Sequence, residues 1–160
     1  MRNKQRIDIV LKHIPWKQFI QDNIKLSKDS KVLDKLVENV INNLSGIKKE
    51  WENHPDLRLG QLLINQGYVP DNYKLYNIEE VDWLIDNKVL KLEEICFWGS
   101  NYDKDLNRLT ETKYRLLKDL EDSHIAAIVD LYEEGMQKIN KDYLNYFKKR
   151  LDGIRIKSKN

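Results

Sequence analysis

Residues 96–124 read CFWGSNYDKDLNRLTETKYRLLKDLEDSH, and this segment decides the predicted fold class. Two short apolar and aromatic runs, residues 95–99 and 113–118, flank a polar connection of residues 100–112, and a helix start near Asp122 follows. Apolar runs bounded by turn-forming residues are typical of paired strands. The segment therefore predicts a β-hairpin packed on the helix that begins near Asp122. The two-residue turn signature that would set the strand register is absent from it.

The rest of the chain has the apolar spacing of helices. Apolar residues recur at intervals of three and four, which places them on one helical face. The most regular stripe covers residues 32–51 and predicts one long helix. The predicted fold class is therefore α+β, predominantly helical, with one β-hairpin and about seven helices. Those helices are predicted near residues 4–13, 15–24, 30–51, 55–66, 77–87, 122–135 and 138–152.

Length and composition favour one soluble domain. A chain of 160 residues can bury a sufficient core, so residues 1–160 are predicted to form a single domain. Within it, residues 1–50 are a candidate added helical module and residues 51–155 the motif-bearing core. The short apolar runs predict no membrane span, and the first residues lack the features of a signal peptide. The single cysteine, Cys96, excludes an internal disulfide, so we expect a cytoplasmic location.

Charge is segregated along the sequence. Residues 1–49 carry 11 Lys and Arg against 5 Asp and Glu, residues 50–137 carry 9 against 19, and residues 138–160 carry 8 against 2. One interpretation is that the basic termini order an acidic middle. The other is a two-faced molecule, with a basic surface for nucleic acid or an acidic surface for a basic partner.

One short motif has the residue types of an acid–base site. His54, Asp56 and Arg58 lie close together near a predicted helix start, where His54 could transfer protons and Arg58 could bind an anion. The other interpretation is a helix start in which Asp56 satisfies the helix end. His13, His54 and His124 lie on separate segments without ligand spacing, so no metal site and no cofactor is predicted. An enzyme is therefore not the favoured prediction.

The C-terminal tract KKRLDGIRIKSKN is the clearest basic segment. Cations beside aromatic side chains can hold a phosphate backbone while the rings stack on bases. The alternative is a solvated tail after a helix whose aromatic residues belong to the core. Under the nucleic-acid hypothesis the binding residues are Lys148, Lys149, Arg150, Arg155 and Lys157.

Two segments resemble patterns in small, mostly uncharacterised proteins that phages and prophages encode. Residues 51–65, WENHPDLRLGQLLIN, resemble a W-x-x-H-P-D-x-R-x-G-Q-L-x-x-N pattern. FWGSNYDKD, followed by KYRLLKDLEDSHIAAI, resembles a second pattern in which an aromatic-Trp-Gly strand and a second strand lead into a helix. The resemblance covers about a third of the chain. It implies an accessory protein acting in the bacterial cytoplasm, and it implies no catalytic residues.

The favoured hypothesis is a non-enzymatic accessory protein that binds and modulates a host protein, with inhibition of host defence as one form of that role. A viral protein is the other candidate partner. The predicted contact surface is the acidic connection between the strands, with Tyr102, Asp103 and Asp105 as its binding residues. Nucleic-acid binding and a small-ligand site at His54, Asp56 and Arg58 stay open as alternatives. So does a homodimer through the stripe of residues 32–51.

Overall fold

The computed structural model describes the backbone of residues 2–24 and 30–159, and the side chains of residues 2–24 and 31–154. Over that part of the chain it has ten α-helices, one short 3-10 helix and a two-stranded antiparallel sheet. The predicted helical α+β class with one β-hairpin is therefore confirmed. The helices are α1 Lys4–His13, α2 Trp16–Asn23, α3 Ser30–Ile41, α4 Leu44–Asn53, α5 Leu59–Asn65, α6 Tyr73–Asn77, α7 Glu80–Asp86, α8 Leu92–Ile95, α9 Asp122–Glu133 and α10 Lys141–Lys159.

The expected number of about seven helices is wrong, because one predicted helix is two and two short helices were not predicted. The stripe of residues 32–51 breaks after Ile41, where the Asn43 side-chain amide donates to the Asn39 carbonyl oxygen (2.6 Å). Asparagine side chains compete in this way with the helical hydrogen bonds of the backbone. The helices α6 and α8 have five and four residues, too few to show a helical period.

The structured chain divides into two compact units, Met1–Lys91 and Leu92–Asn160. This boundary lies about forty residues beyond the end of the candidate module at residue 50. The single domain of residues 1–160 stays a prediction. None of the helices in the described ranges is long and apolar enough to cross a membrane.

The first unit contains α1 to α7 around a core of aromatic and aliphatic side chains. Phe19 of α2 meets Trp83 of α7 edge to face, with ring centroids 5.1 Å apart. Trp51 of α4 is completely buried, and its indole N–H donates to the Leu57 carbonyl oxygen (2.9 Å). That bond satisfies the polar atom that burial would otherwise leave unpaired. The result is a rigid support for the loop of residues 54–58, which leads into α5.

The second unit contains α8, the hairpin, the 3-10 helix Leu117–Asp119, α9 and α10. Strand β1 is Phe97–Tyr102 and strand β2 is Arg108–Leu116. Their register pairs Phe97 with Leu116 and Tyr102 with Arg108, with an irregularity between Ser100 and Tyr102. Trp98 of β1 meets Phe147 of α10 edge to face, with ring centroids 5.7 Å apart.

The predicted thirteen-residue connection between the strands is wrong, because both strands extend into it. Only residues 103–107 lie between β1 and β2. Most of the added strand residues are polar and exposed. They can still form strands, because a face of an antiparallel sheet can lie in water. The Thr112 hydroxyl also donates across the strands to Oδ1 of Asn101 (2.6 Å). A polar sequence alone therefore did not mark the end of the hairpin.

Candidate functional site

The predicted partner-binding residues lie together at the hairpin tip, which we define as residues 101–107. Tyr102 ends β1, and Asp103 and Asp105 lie in the turn that follows. Tyr102 is 57% exposed, so its ring is available for contact. The structure thus groups Tyr102, Asp103 and Asp105 as the sequence suggested, on a much shorter turn.

Asp103 holds the turn together. Its Oδ1 accepts hydrogen bonds from the backbone N–H groups of Asp105 and Asn107, both at 2.9 Å. The Asp103 backbone N–H in turn donates to the Asn107 carbonyl oxygen (2.9 Å). The hydrogen bond from the Asn107 backbone N–H is the main reason that the pKa of the Asp103 carboxyl lies below its ordinary value. The bond from the Asp105 N–H lowers the pKa further. Asp103 is therefore a scaffold residue of the tip.

Leu106 is the tip residue that sequence reasoning missed. Its side chain is 83% exposed and its backbone has φ of 64°, in the left-handed region. That region disfavours residues with a bulky side chain, and glycine or asparagine are the usual occupants. The one available signal was an isolated apolar residue in the polar segment NYDKDLN. The tip therefore presents two large side chains, Tyr102 and Leu106, beside the carboxylate of Asp105.

The residues of the nucleic-acid hypothesis have mixed surroundings within the second unit. Arg150 makes internal bonds: its guanidinium donates to Asp122 Oδ1 (2.9 Å) and to the carbonyl oxygens of Leu117 and Leu120. Lys148 lies 3.7 Å from a carboxylate oxygen of Glu133, as an exposed pair. Lys149 is exposed. The side chains of Arg155 and Lys157 lie outside the described residues.

Aromatic residues near this basic tract are only in part available for stacking. Phe147 is completely buried and contacts Trp98, while Tyr146 is half-buried next to it. Base stacking needs an exposed ring face. The nucleic-acid hypothesis stays a prediction, now centred on Lys148 and Lys149 among the described side chains.

The structure places His54 outside the cleft that Asp56 and Arg58 line. Nε2 of His54 lies 3.4 Å from Glu50 Oε1, one helical turn back, in an exposed position. Asp56 and Arg58 instead line an open cleft of about 330 Å³ in the first unit, which we call the arginine cleft. Its lining residues are Arg2, Arg6, Asp56, Arg58, Gln61 and Glu79.

Charged pairs organise the arginine cleft. The Arg2 guanidinium donates to the carboxylates of both Glu79 and Glu80, and Nε of Arg58 donates to Glu79 Oε2 (3.0 Å). Arg2 also lies over the Trp51 ring, with its guanidinium carbon 5.9 Å from the ring centroid. These contacts join the chain segments at the starts of α1, α5 and α7, through side chains that are far apart in the sequence.

Glu80 accepts a hydrogen bond from the cleft residue Arg2 and is completely buried. Burial raises the pKa of its carboxyl above the ordinary value, and the bonds from Arg2 oppose that rise. Oε2 of Glu80 also accepts a hydrogen bond from the backbone N–H of Leu59 (3.3 Å). No local pattern indicates this pair, because Arg2 and Glu80 are 78 positions apart.

Cys96 is buried, 6% exposed. Among the residues that the structure describes, no three His, Cys, Asp or Glu side chains form a group that could hold a metal ion. Comparison of the chain with family models, with curated proteins and with solved structures finds no match. The resemblance to phage and prophage proteins stays a prediction.

Proposed function

We propose that this chain is a non-enzymatic accessory protein that binds and modulates a host protein through its hairpin tip. The observation that carries the proposal is Leu106, whose exposed side chain stands on left-handed backbone. An exposed leucine buries little area, and leucine is strained on left-handed backbone that glycine or asparagine adopts readily. Strain of this kind is concentrated at functional sites, where another requirement maintains it.

The chemistry of the tip indicates what kind of partner surface it fits. Tyr102 and Leu106 supply large side chains, and aromatic residues are enriched at the centres of protein interfaces. Asp105 adds a carboxylate beside them, and Asp103 uses its own carboxylate inside the turn. A complementary partner has an apolar pocket with basic residues at its rim. Along the hairpin, Tyr114 is a further exposed aromatic residue and extends the contact area.

The hairpin keeps the tip in one geometry before binding. Tyr114 is paired with Gly99, and a Cβ placed on Gly99 would lie 2.9 Å from the Tyr114 ring. The ring therefore covers the glycine and stiffens the two-stranded sheet. A partner then orders fewer groups on binding, which favours affinity. A bacterial host protein as partner, and a role against host defence, follow from the sequence resemblance and belong to the same proposal.

Site-specific photo-crosslinking in a bacterial host tests the proposal. A photoreactive phenylalanine analogue replaces Tyr102 or Leu106, and the matched control places it at Tyr73, which is 86% exposed on α6. We expect the tip positions to crosslink one discrete host protein that the Tyr73 position does not. Equal crosslinking from all three positions, or none from the tip, would contradict the proposal.

Leu106→Asn then separates binding from folding. Asparagine tolerates left-handed backbone, so we expect thermal stability to be maintained or slightly raised while capture of the crosslinked protein falls at least tenfold. Asp105→Asn should slow association and reduce its dependence on salt. Unchanged capture by Leu106→Asn would show that the tip is not the anchor.

A further inference from the structure

We propose that the arginine cleft of the first unit is a binding site for a small oxyanion, a carboxylate or a phosphate group. This proposal does not depend on the hairpin tip, because every residue that lines the cleft lies between Arg2 and Glu79. Three of those residues are arginines. The planar guanidinium group matches the paired oxygens of carboxylates and phosphates.

The cleft contains hydrogen-bond donors that have no acceptor among the described residues. Arg58 bonds Glu79 through Nε alone, so its two terminal nitrogens have no acceptor among the described residues. The Gln61 side chain accepts a hydrogen bond at Oε1 from the Arg58 backbone N–H (2.9 Å). That bond assigns the accepting atom of the Gln61 amide as its oxygen, so the other atom is the nitrogen. The Gln61 amide nitrogen is thus a second donor without a described acceptor, on the same cleft as Arg58.

These donors are held in place by a chain of ion pairs. Glu79 binds both Arg58 and Arg2, and Arg2 is anchored by the buried carboxylate of Glu80. A site whose donors are already positioned loses less freedom when it binds its ligand. The Gln61 side chain is held by its hydrogen bond to the backbone N–H of Arg58, just before α5. The N–H donors of Arg58 and Gln61 are therefore held in position before a ligand binds.

The other lining residues limit the kind of ligand. All six lining residues are polar or charged, so the bound group is itself polar. Glu79 is paired with Arg58 and with Arg2, which also pairs with Glu80, whereas Asp56 is exposed and its carboxylate has no partner among the described residues. Asp56 repels an anion at the rim and limits affinity. A single oxyanion group fits this balance better than a polyanion does.

Titration of the full chain, followed by amide signals in two-dimensional NMR, tests the site. The probes are sodium phosphate and sodium acetate, each at an ionic strength kept constant with sodium chloride. We expect saturable shifts at Arg58 and Gln61. Tighter binding of phosphate would identify a phosphate ligand, and tighter binding of acetate a carboxylate, and either result supports the site.

Three variants make the titration decisive. We expect Arg58→Gln to weaken binding at least tenfold, whereas Arg115→Gln, the same charge loss on exposed strand β2, should change it less than twofold. Asp56→Asn should strengthen binding severalfold by removing the repelling carboxylate, and this exposed substitution leaves the fold intact. Shifts that never saturate, equal weakening by both arginine variants, or no gain from Asp56→Asn would each overturn the proposal.

Discussion

Glu80 shows how much one buried charge depends on its partner. The carboxylate is completely buried and bonded to Arg2, whose own side chain is 9% exposed. Arg2→Ala leaves that charge buried and unpaired, so we expect a loss of about 3–5 kcal/mol in the free energy of unfolding. Urea denaturation at neutral pH measures it. Lys4→Ala, on an exposed neighbouring side chain, is the control and should change stability by less than about 0.5 kcal/mol. A loss below 1 kcal/mol for Arg2→Ala would show that Glu80 does not need its partner.

The protonation of Glu80 couples stability to pH. Burial raises the pKa of the folded carboxyl above the ordinary glutamate value of about 4.3. The folded state then binds a proton more readily than the unfolded state. This contribution to stability is complete below the unfolded pKa and is lost as pH rises through the folded pKa. We expect the Glu80 carboxyl carbon to titrate above 4.3 in a ¹³C NMR experiment, and Glu80→Gln to remove this part of the pH dependence. Titration at or below 4.3 would mean that Arg2 outweighs burial.

Two glycines in helices of the first unit should respond oppositely to alanine. A Cβ on Gly60 of α5 would overlap the Leu75 carbonyl oxygen of α6, so Gly60→Ala forces the helices apart. On Gly46 of α4 the nearest group is the Tyr68 hydroxyl at 3.8 Å, an ordinary contact.

We therefore expect Gly60→Ala to lose about 1–3 kcal/mol, and Gly46→Ala to gain up to about 1 kcal/mol from helix propensity. Denaturant midpoints of the two variants measure both. If both substitutions shift the midpoint in the same direction, the close approach of α5 and α6 is not what requires Gly60.

Helices and strands were predictable where side-chain periodicity alone determines them. The presence of the hairpin and the helical character of the apolar stripes belong to this group, but the break in the stripe of residues 32–51 does not. Asn43 and Asn77 show the limit, since an asparagine can begin, interrupt or end a helix. Asn77 was expected to begin the helix of residues 77–87, yet its side chain donates to the Tyr73 carbonyl oxygen at the end of α6. Which role an asparagine takes depends on tertiary contacts that a local pattern does not contain.

The candidate sites divide in the same way. That Tyr102 and Asp105 lie close together was predictable, because the tip is one continuous segment. The backbone conformation of Leu106 was not, since residue type favours glycine or asparagine there. The arginine cleft combines Arg2, Arg58 and Glu79, which lie just before α1, α5 and α7 and come together only in the folded chain. Of its lining, the sequence marked only Asp56 and Arg58.

At the scale of the whole molecule, the charge blocks of the sequence do not become charged units. Residues 1–91 carry 15 Lys and Arg against 13 Asp and Glu, and residues 92–160 carry 13 against 13. The net charges are therefore +2 and zero. Folding places the basic helix α10 and acidic residues such as Asp122 and Glu133 in one unit. Long-range electrostatic attraction of nucleic acid is correspondingly small.

Glycine substitutions in each unit test whether the chain unfolds as one domain. Gly46→Ala lies in the first unit, and Gly153→Ala lies in α10 of the second, where a Cβ meets no atom within 4 Å. Each should stabilise its own helix by up to about 1 kcal/mol. The single-domain prediction expects one transition in scanning calorimetry, moved upward by both variants. Two transitions, each moved by one variant only, would contradict it.

The bonds within the tip also define positions that tolerate substitution by foreign sequence. Asp103 and Asn107 close the turn through a side chain and backbone groups, and the side chains of residues 104–106 are exposed. The residues that close the turn, Asp103 and Asn107, are therefore not the residues whose side chains face solvent at 104–106. A library that varies residues 104–106 while keeping Asp103 should yield folded proteins with new binding preferences. In that sense the hairpin is a ready scaffold for peptide display, and natural variation in these three residues would redirect the protein to new targets without rebuilding it.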